Sequence, residues 1–162
     1  MDKQPTLVGR AEFVNLPEQG IAQVPARIDT GAKTSAIWAS NITENDGQLS
    51  FTLFDTSSEH YTGQLITVKD FSLRAVANST GQVEERYTVK LLIVIAGRRI
   101  RATFTLANRA TQVYPMLVGR NTLRGKFVVD VKLGKPLVAK ELLREEQKKA
   151  WLLEQTDRKE AL

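Results

Sequence analysis

Ala26-Arg27-Ile28-Asp29-Thr30-Gly31-Ala32 sets a carboxylate at the end of a strand and follows it with a hydroxyl and a glycine. Upstream, Ala22, Val24, Ala26 and Ile28 alternate with Gln23, Arg27 and Asp29, so the strand turns Asp29 away from its buried set. Pro25 donates no hydrogen bond, which places this strand at a sheet edge or puts a bulge there. Gly31 lets backbone approach a substrate or a second chain, and Thr30 can lock the loop by a hydrogen bond. Alone, the Asp-Thr-Gly triplet is also ordinary turn chemistry.

Around it the chain reads as all-β. Residues 7–16 and 21–29 form an N-terminal hairpin across Pro17-Glu18-Gln19-Gly20. A longer hairpin pairs the alternating series Tyr87, Val89, Leu91, Ile93, Ile95 with Ile100, Ala102, Phe104, Leu106, turning at Gly97-Arg98. Its outward face carries Arg99, Arg101, Thr103 and Thr105, read as a solvated stripe. Shorter strands are expected at 35–42, 49–54, 61–68, 71–77, 113–118 and 127–131. A single helical turn at 120–125 would be capped by Asn121 and ended by Gly125. From Val138 the chain becomes rich in Glu, Lys, Arg, Leu and Gln. A helix there would present Ala139, Leu143, Ala150 and Leu153 as a narrow stripe for the body or a partner. The division is a β domain over 1–135 and a helical tail over 136–162.

Composition removes several chemistries. The 162 residues contain no cysteine and one histidine, His60. That excludes disulfides, thiol catalysis and thiolate metal sites, and leaves too few ligands for a zinc site of the usual kind. His60 lies in the polar run Ser57, Ser58, Glu59, Tyr61 and reads as an exposed loop histidine. The formal charge of +5 suits an acidic partner. With few aromatics near Arg98, Arg99, Arg101 and Arg109, nucleic acid is not the expected one. No apolar run is long enough to span a membrane. Met1-Asp2-Lys3-Gln4-Pro5 lacks a signal-peptide pattern, making a cytoplasmic address the default.

A second segment raises the weight of the first. In Met116-Leu117-Val118-Gly119-Arg120-Asn121-Thr122-Leu123 a strand of apolar residues runs through glycine into a short helix. Together the two segments resemble the retropepsins. Further likeness runs through Glu84-x-Arg86, Asn108-Arg109, Pro115 to Arg120 and Gly125-x-Phe127-x-Val129-Asp130. Across residues 7 to 133 the set is similar to a retropepsin-like bacterial family labelled ATP-dependent zinc proteases. The zinc and ATP of that label are not expected: Gly31-Ala32-Lys33-Thr34 lacks the preceding phosphate loop of a nucleotide site. No cofactor is expected. Members of the family resemble partners of ATP-grasp ligases that add glutamates to a ribosomal protein. One departure is Trp38, where many relatives carry histidine.

The resemblance implies a closed retropepsin-like β-barrel, with one short helix after Gly119 and a C-terminal helix. Asp29 would be the catalytic carboxylate in a loop of Thr30, Gly31 and Ala32, supported by Gly119 and Arg120. Asp130, followed by Val131 and Lys132, has the wrong neighbours for a second such loop. One Asp-Thr-Gly per chain then requires a homodimer to supply two carboxylates. A lid is expected from residues 55–63 or 78–82. The implied activity is an aspartic-type endopeptidase acting on a peptide or protein, with acidic or glutamate-extended tails as the expected substrate. The alternative is a non-catalytic dimer that binds a peptide or protein, and a basic nucleic-acid-binding β domain is a third reading.

Overall fold

The computed structural model describes residues 4–77 and 80–161. Eleven strands and two α-helices follow one another: β1 (Thr6–Val8), β2 (Ala11–Leu16), β3 (Ile21–Ile28), β4 (Ser35–Asn45), β5 (Gln48–Leu53), β6 (Ile66–Val68), β7 (Phe71–Ala77), β8 (Val83–Ile95), β9 (Arg98–Ala107), β10 (Met116–Val118), α1 (Arg120–Leu123), β11 (Phe127–Val129) and α2 (Val138–Glu160). Strands β10, β3, β2, β8, β9 and β4 pair in that order, and β4 pairs back onto β10, closing a ring. β5 and β6 extend from β4, while β7 lies along β8. The fold is the expected closed all-β body with a short helix after Gly119 and a long C-terminal helix.

Alternation fills the ring. Val89, Leu91, Ile93 and Ile95 of β8 meet Ala102, Phe104 and Leu106 of β9 in one core with Val14, Val24, Ile37, Phe51 and Met116. Burying several such side chains stabilises the body by about 2 kcal/mol each. The β8–β9 turn is Ala96-Gly97, one residue earlier than expected, because Ile95 pairs with Arg98. Both turn residues have positive φ, 48° and 75°, the geometry whose twist matches a tight hairpin.

The N-terminal segment differs from a simple hairpin. It breaks at Gly9-Arg10, so that β1 leaves β2 and pairs in parallel with β11 in a separate two-stranded sheet. The bulge in β3 falls at Ala22-Gln23, ahead of Pro25: Val14 faces Val24 while Leu16 faces Ile21, and Gln23 adopts φ 58°. Ala22 is therefore exposed and Pro25 buried. β3 is an interior strand, and proline survives there for a local reason. By register its nitrogen faces β10, whose pairing starts only at Met116 opposite Ala26.

Four other expectations need correction. The 61–68 strand shrinks to β6, and the 113–118 strand to β10. α1 has Gly119 at its N-terminal boundary, without a side-chain cap; Asn121 is used elsewhere. His60 is not an exposed loop residue: its side chain is 15 % exposed and its ring lies 5.9 Å from that of Phe54. Of the stripe read as solvated, Arg99 and Arg101 are exposed and share a surface hollow with Arg98, whereas Thr105 is buried. Arg101 pairs with Glu18 at 2.5 Å, Arg98 donates to the Lys126 carbonyl at 2.9 Å, and Arg109 sits apart from both.

Helix α2 forms where expected but attaches differently. None of its residues is buried, and Leu143 and Leu153 are 54 % and 67 % exposed. Its hold is polar: Glu141 accepts from Arg10 Nη1 at 2.5 Å and from the Tyr114 hydroxyl at 2.8 Å. Glu141→Ala removes both bonds together, at a cost of about 1–2 kcal/mol. The expected result is faster hydrogen exchange in the first turns of α2 with unchanged protection in β8 and β9. Equal exchange in wild type and variant would show that other contacts hold the helix.

Candidate active site

Three chain segments converge at Asp29. β3 delivers it beside β10, and its N–H donates to the Val118 carbonyl at 2.9 Å. The loop then folds on itself: Gly31 N–H donates to Asp29 Oδ1 at 3.0 Å and Ala32 N–H to the Asp29 carbonyl at 3.2 Å. A side chain at Gly31 would crowd that carboxylate oxygen at 3.2 Å. Asp29 is half-buried, while Thr30 and Gly31 are exposed.

The start of α1 carries the loop. Arg120 N–H donates to the Ala32 carbonyl at 2.8 Å and Asn121 N–H to the Lys33 carbonyl at 3.1 Å. Arg120 Nη1 reaches the Thr30 carbonyl at 3.1 Å. Gly119 allows this approach, since a Cβ there would sit 2.5 Å from the Thr34 carbonyl oxygen and 2.9 Å from that of Ala32. Its φ of −96° is ordinary, so the requirement is for space.

Sequence reasoning missed the hub beneath the loop. Ser35, fully buried, accepts from Gly119 N–H at 3.0 Å and donates to Asn121 Oδ1 at 2.8 Å. With its one proton so used, it accepts from Thr122 Oγ1 at 2.6 Å. Asn121 Nδ2 continues to the Thr103 carbonyl at 3.1 Å, and Thr105 Oγ1 donates to the Ser35 carbonyl at 3.3 Å. A small hydroxyl residue entering a strand just after Asp-Thr-Gly was the available signal.

On one side of Asp29 lies a cavity of about 710 Å³. Arg10, Arg27, Arg109, Arg144 and Lys148 line it, against the carboxylates of Asp29, Glu141 and Glu145. The first turns of α2 thus form one wall. Tyr114 shares this wall, and burial together with its bond to Glu141 pushes its hydroxyl up to about 12. Its proton therefore stays available to Glu141 throughout the neutral range. The link is present below the unfolded value near 10 and fades only as pH passes about 12.

Arg109, like Arg10, is a half-buried cation of the cavity. Its Nε donates to the Tyr114 carbonyl at 2.9 Å, the acceptor that β3 would have used had Pro25 carried an N–H. Burial first, then the nearby charges of Arg86 and Arg27, pushes its pKa down to about 10, with Asp29 opposing them. At neutral pH the guanidinium remains charged.

Trp38 does not line the Asp29 cavity. It is buried edge-on to Phe54, with ring centres 6.2 Å apart, and lines a smaller cavity with His60. The two cavities share Arg109, Gln112 and Val113. Asp130 ends β11 in a turn, its Oδ1 accepting from Lys132 N–H at 3.0 Å. Of the two segments expected as lids, 55–63 folds into internal turns, with Ser57 N–H donating to Asp55 Oδ1 and Ser58 N–H to the Asp55 carbonyl. In 78–82, residues 78 and 79 lie outside the described residues. Among the described residues no three His, Asp or Glu side chains gather as metal ligands, and the carbonyls of Ala32 and Lys33 face the start of α1.

The family profile described as RimB-like, retropepsin-like aspartic endopeptidase RimB, matches residues 7–136. The chain belongs to this family. Similar proteins include one named probable alpha-L-glutamate ligase from Shewanella halifaxensis, 31 % identical over 128 residues. One of the same name from Desulfotalea psychrophila is 30 % identical over 128 residues. Each match covers 76 % of this chain and 28 % of the relative, so the chain spans little more than a quarter of these proteins. A crystal structure of a Legionella pneumophila protein of unknown function is also similar, with 26 % identity and a TM-score of 0.59, covering 80 % of this chain and 96 % of that one. Among the described residues no helix is long and apolar enough to cross a membrane.

Proposed function

We propose that this RimB-like chain is an aspartic-type peptidase whose reacting pair is Asp29 from each of two subunits, with acidic or glutamate-extended peptide tails as substrate. The carrying observation is a half-buried carboxylate on a braced Asp-Thr-Gly loop, opening into a cavity where five cations face three carboxylates. Two such carboxylates at close range cannot both ionise cheaply, so the pair shares one proton. The ionised member accepts a proton from water as it attacks the peptide carbonyl. The protonated member hydrogen-bonds the carbonyl oxygen, and the amine leaves once protonated. The cationic cleft attracts acidic chains, and relatives named as glutamate ligases support a link to glutamate polymers.

A second reading, a dimer that binds a peptide without cutting it, is favoured by the bond from Gly31 N–H to Asp29 Oδ1. Such a bond gives the carboxylate a purely architectural use. The test is cleavage of a glutamate-tailed peptide by the purified protein, with chelator present and nucleotide absent, followed beside sedimentation across a concentration series. Cleavage should persist in chelator and rise with the dimer fraction. A monomer that cleaves at full rate sinks the shared pair, and a dimer that binds without ever cleaving supports the second reading.

A further inference from the structure

We infer that Arg109 is the specificity-determining residue of the cleft, its guanidinium gripping an acidic substrate side chain beside the bond that is cut. The inference rests on the peptidase reading for the cutting, though not for the binding. Arg109 follows β9 in a connection whose backbone is set by Ala110 N–H on Asn108 Oδ1 at 3.1 Å and Gln112 N–H on the Arg109 carbonyl at 2.9 Å. The Nε bond to Tyr114 orients the guanidinium plane. Its two Nη groups have no hydrogen-bond or ion-pair partner among the described residues.

A cation in this position is costly unless something balances it. Arg27 and Arg86 add like charge nearby, which Asp29 only partly opposes, and among the described residues no carboxylate lies within ion-pair distance of Arg109. Such an incompletely balanced, partly desolvated charge weakens the folded state. A carboxylate entering from solvent would offset that cost, and a planar fork is shaped to take one through two parallel bonds. The same cleft already seats a carboxylate, that of Glu141 between Arg10 and Tyr114. Arg10 is thereby engaged and Arg27 is exposed, which leaves Arg109 as the pre-oriented, unengaged grip. Its place on the wall shared by the Asp29 cavity and the Trp38 cavity puts it beside the path of an extended peptide crossing Asp29.

The experiment measures binding by calorimetry in protein carrying Asp29→Asn, so that an absence of cleavage leaves it readable. The probes are a glutamate-tailed peptide and versions with glutamine substituted one position at a time. Without the Arg109 change, one glutamate near the centre of the tail should be preferred over glutamine by about 10–100-fold. Adding Arg109→Gln should shrink that preference to about threefold or less, while the peptide with glutamine there binds as before. An undiminished preference overturns the inference. So does an equal loss for both peptides, the mark of a residue that merely holds the Tyr114 segment. Arg109→Lys keeps the charge without the fork and serves if the glutamine variant fails to fold; it should lose about fivefold of the preference or more, and full retention counts against the grip. If binding follows Arg109 but wild-type protein never cleaves, the peptidase reading fails and the grip stands.

Discussion

Asp29→Asn should abolish peptide cleavage, by about 10³-fold or more, while thermal stability stays within about 0.5 kcal/mol of wild type. The two halves of that expectation come from different parts of the residue. An amide has the size of the carboxylate, and its Oδ1 still accepts the Gly31 N–H now held at 3.0 Å, so the loop keeps its shape. The amide cannot take a proton from attacking water, and a pair of amides cannot share the acid and base roles. Cleavage kinetics and chemical denaturation on the same preparation give the comparison. Substantial residual hydrolysis in the variant would move the chemistry away from Asp29. Loss of both folding and activity would return the carboxylate to architecture.

Gly119→Ala is the largest expected effect on stability. The added methyl would stand 2.5 Å from the Thr34 carbonyl oxygen and 2.7 Å from its carbon, both backbone atoms with no rotamer to yield. Relief requires the loop after Asp29 to part from α1. That movement strains the bonds from Arg120 N–H to Ala32 and from Gly119 N–H to Ser35, 2.8 and 3.0 Å long. Overpacking of this kind costs about 3 kcal/mol, and activity should fall by more than the lost folded fraction, since the displaced loop carries Asp29. Urea denaturation and cleavage rates at a temperature where both proteins are folded separate these effects. A variant as stable as wild type would mean that the loop has slack the structure does not display.

Local chemistry made much of this legible in advance. Period-two alternation over residues 87–95 and 100–106 placed β8 and β9 and their buried faces, because a strand in a closed ring must send every second side chain inward. Asp-Thr-Gly and Val118-Gly119-Arg120 marked the loop and its brace through residue types that answer local demands: a carboxylate at a strand end, and glycine where backbones touch. The helical tail from Val138 was written in its composition. Its docking was not, since an apolar stripe in sequence says nothing about whether a polar anchor such as Glu141 meets its partners first.

Tertiary structure alone decided the rest. Ser35 lies 84 residues from Gly119, and no periodicity links a hydroxyl to an amide so distant in the chain. The cationic cleft draws Arg10, Arg27, Arg109 and Arg144 from four separate segments, which share a wall only after the ring closes and α2 settles against Tyr114. Arg109 depends on one more long-range accident of register, the missing N–H of Pro25 opposite Tyr114. Residues that act through their neighbours in sequence can be read from the sequence. Those that act through charge, burial or a carbonyl left open by another strand acquire their meaning when the chain folds.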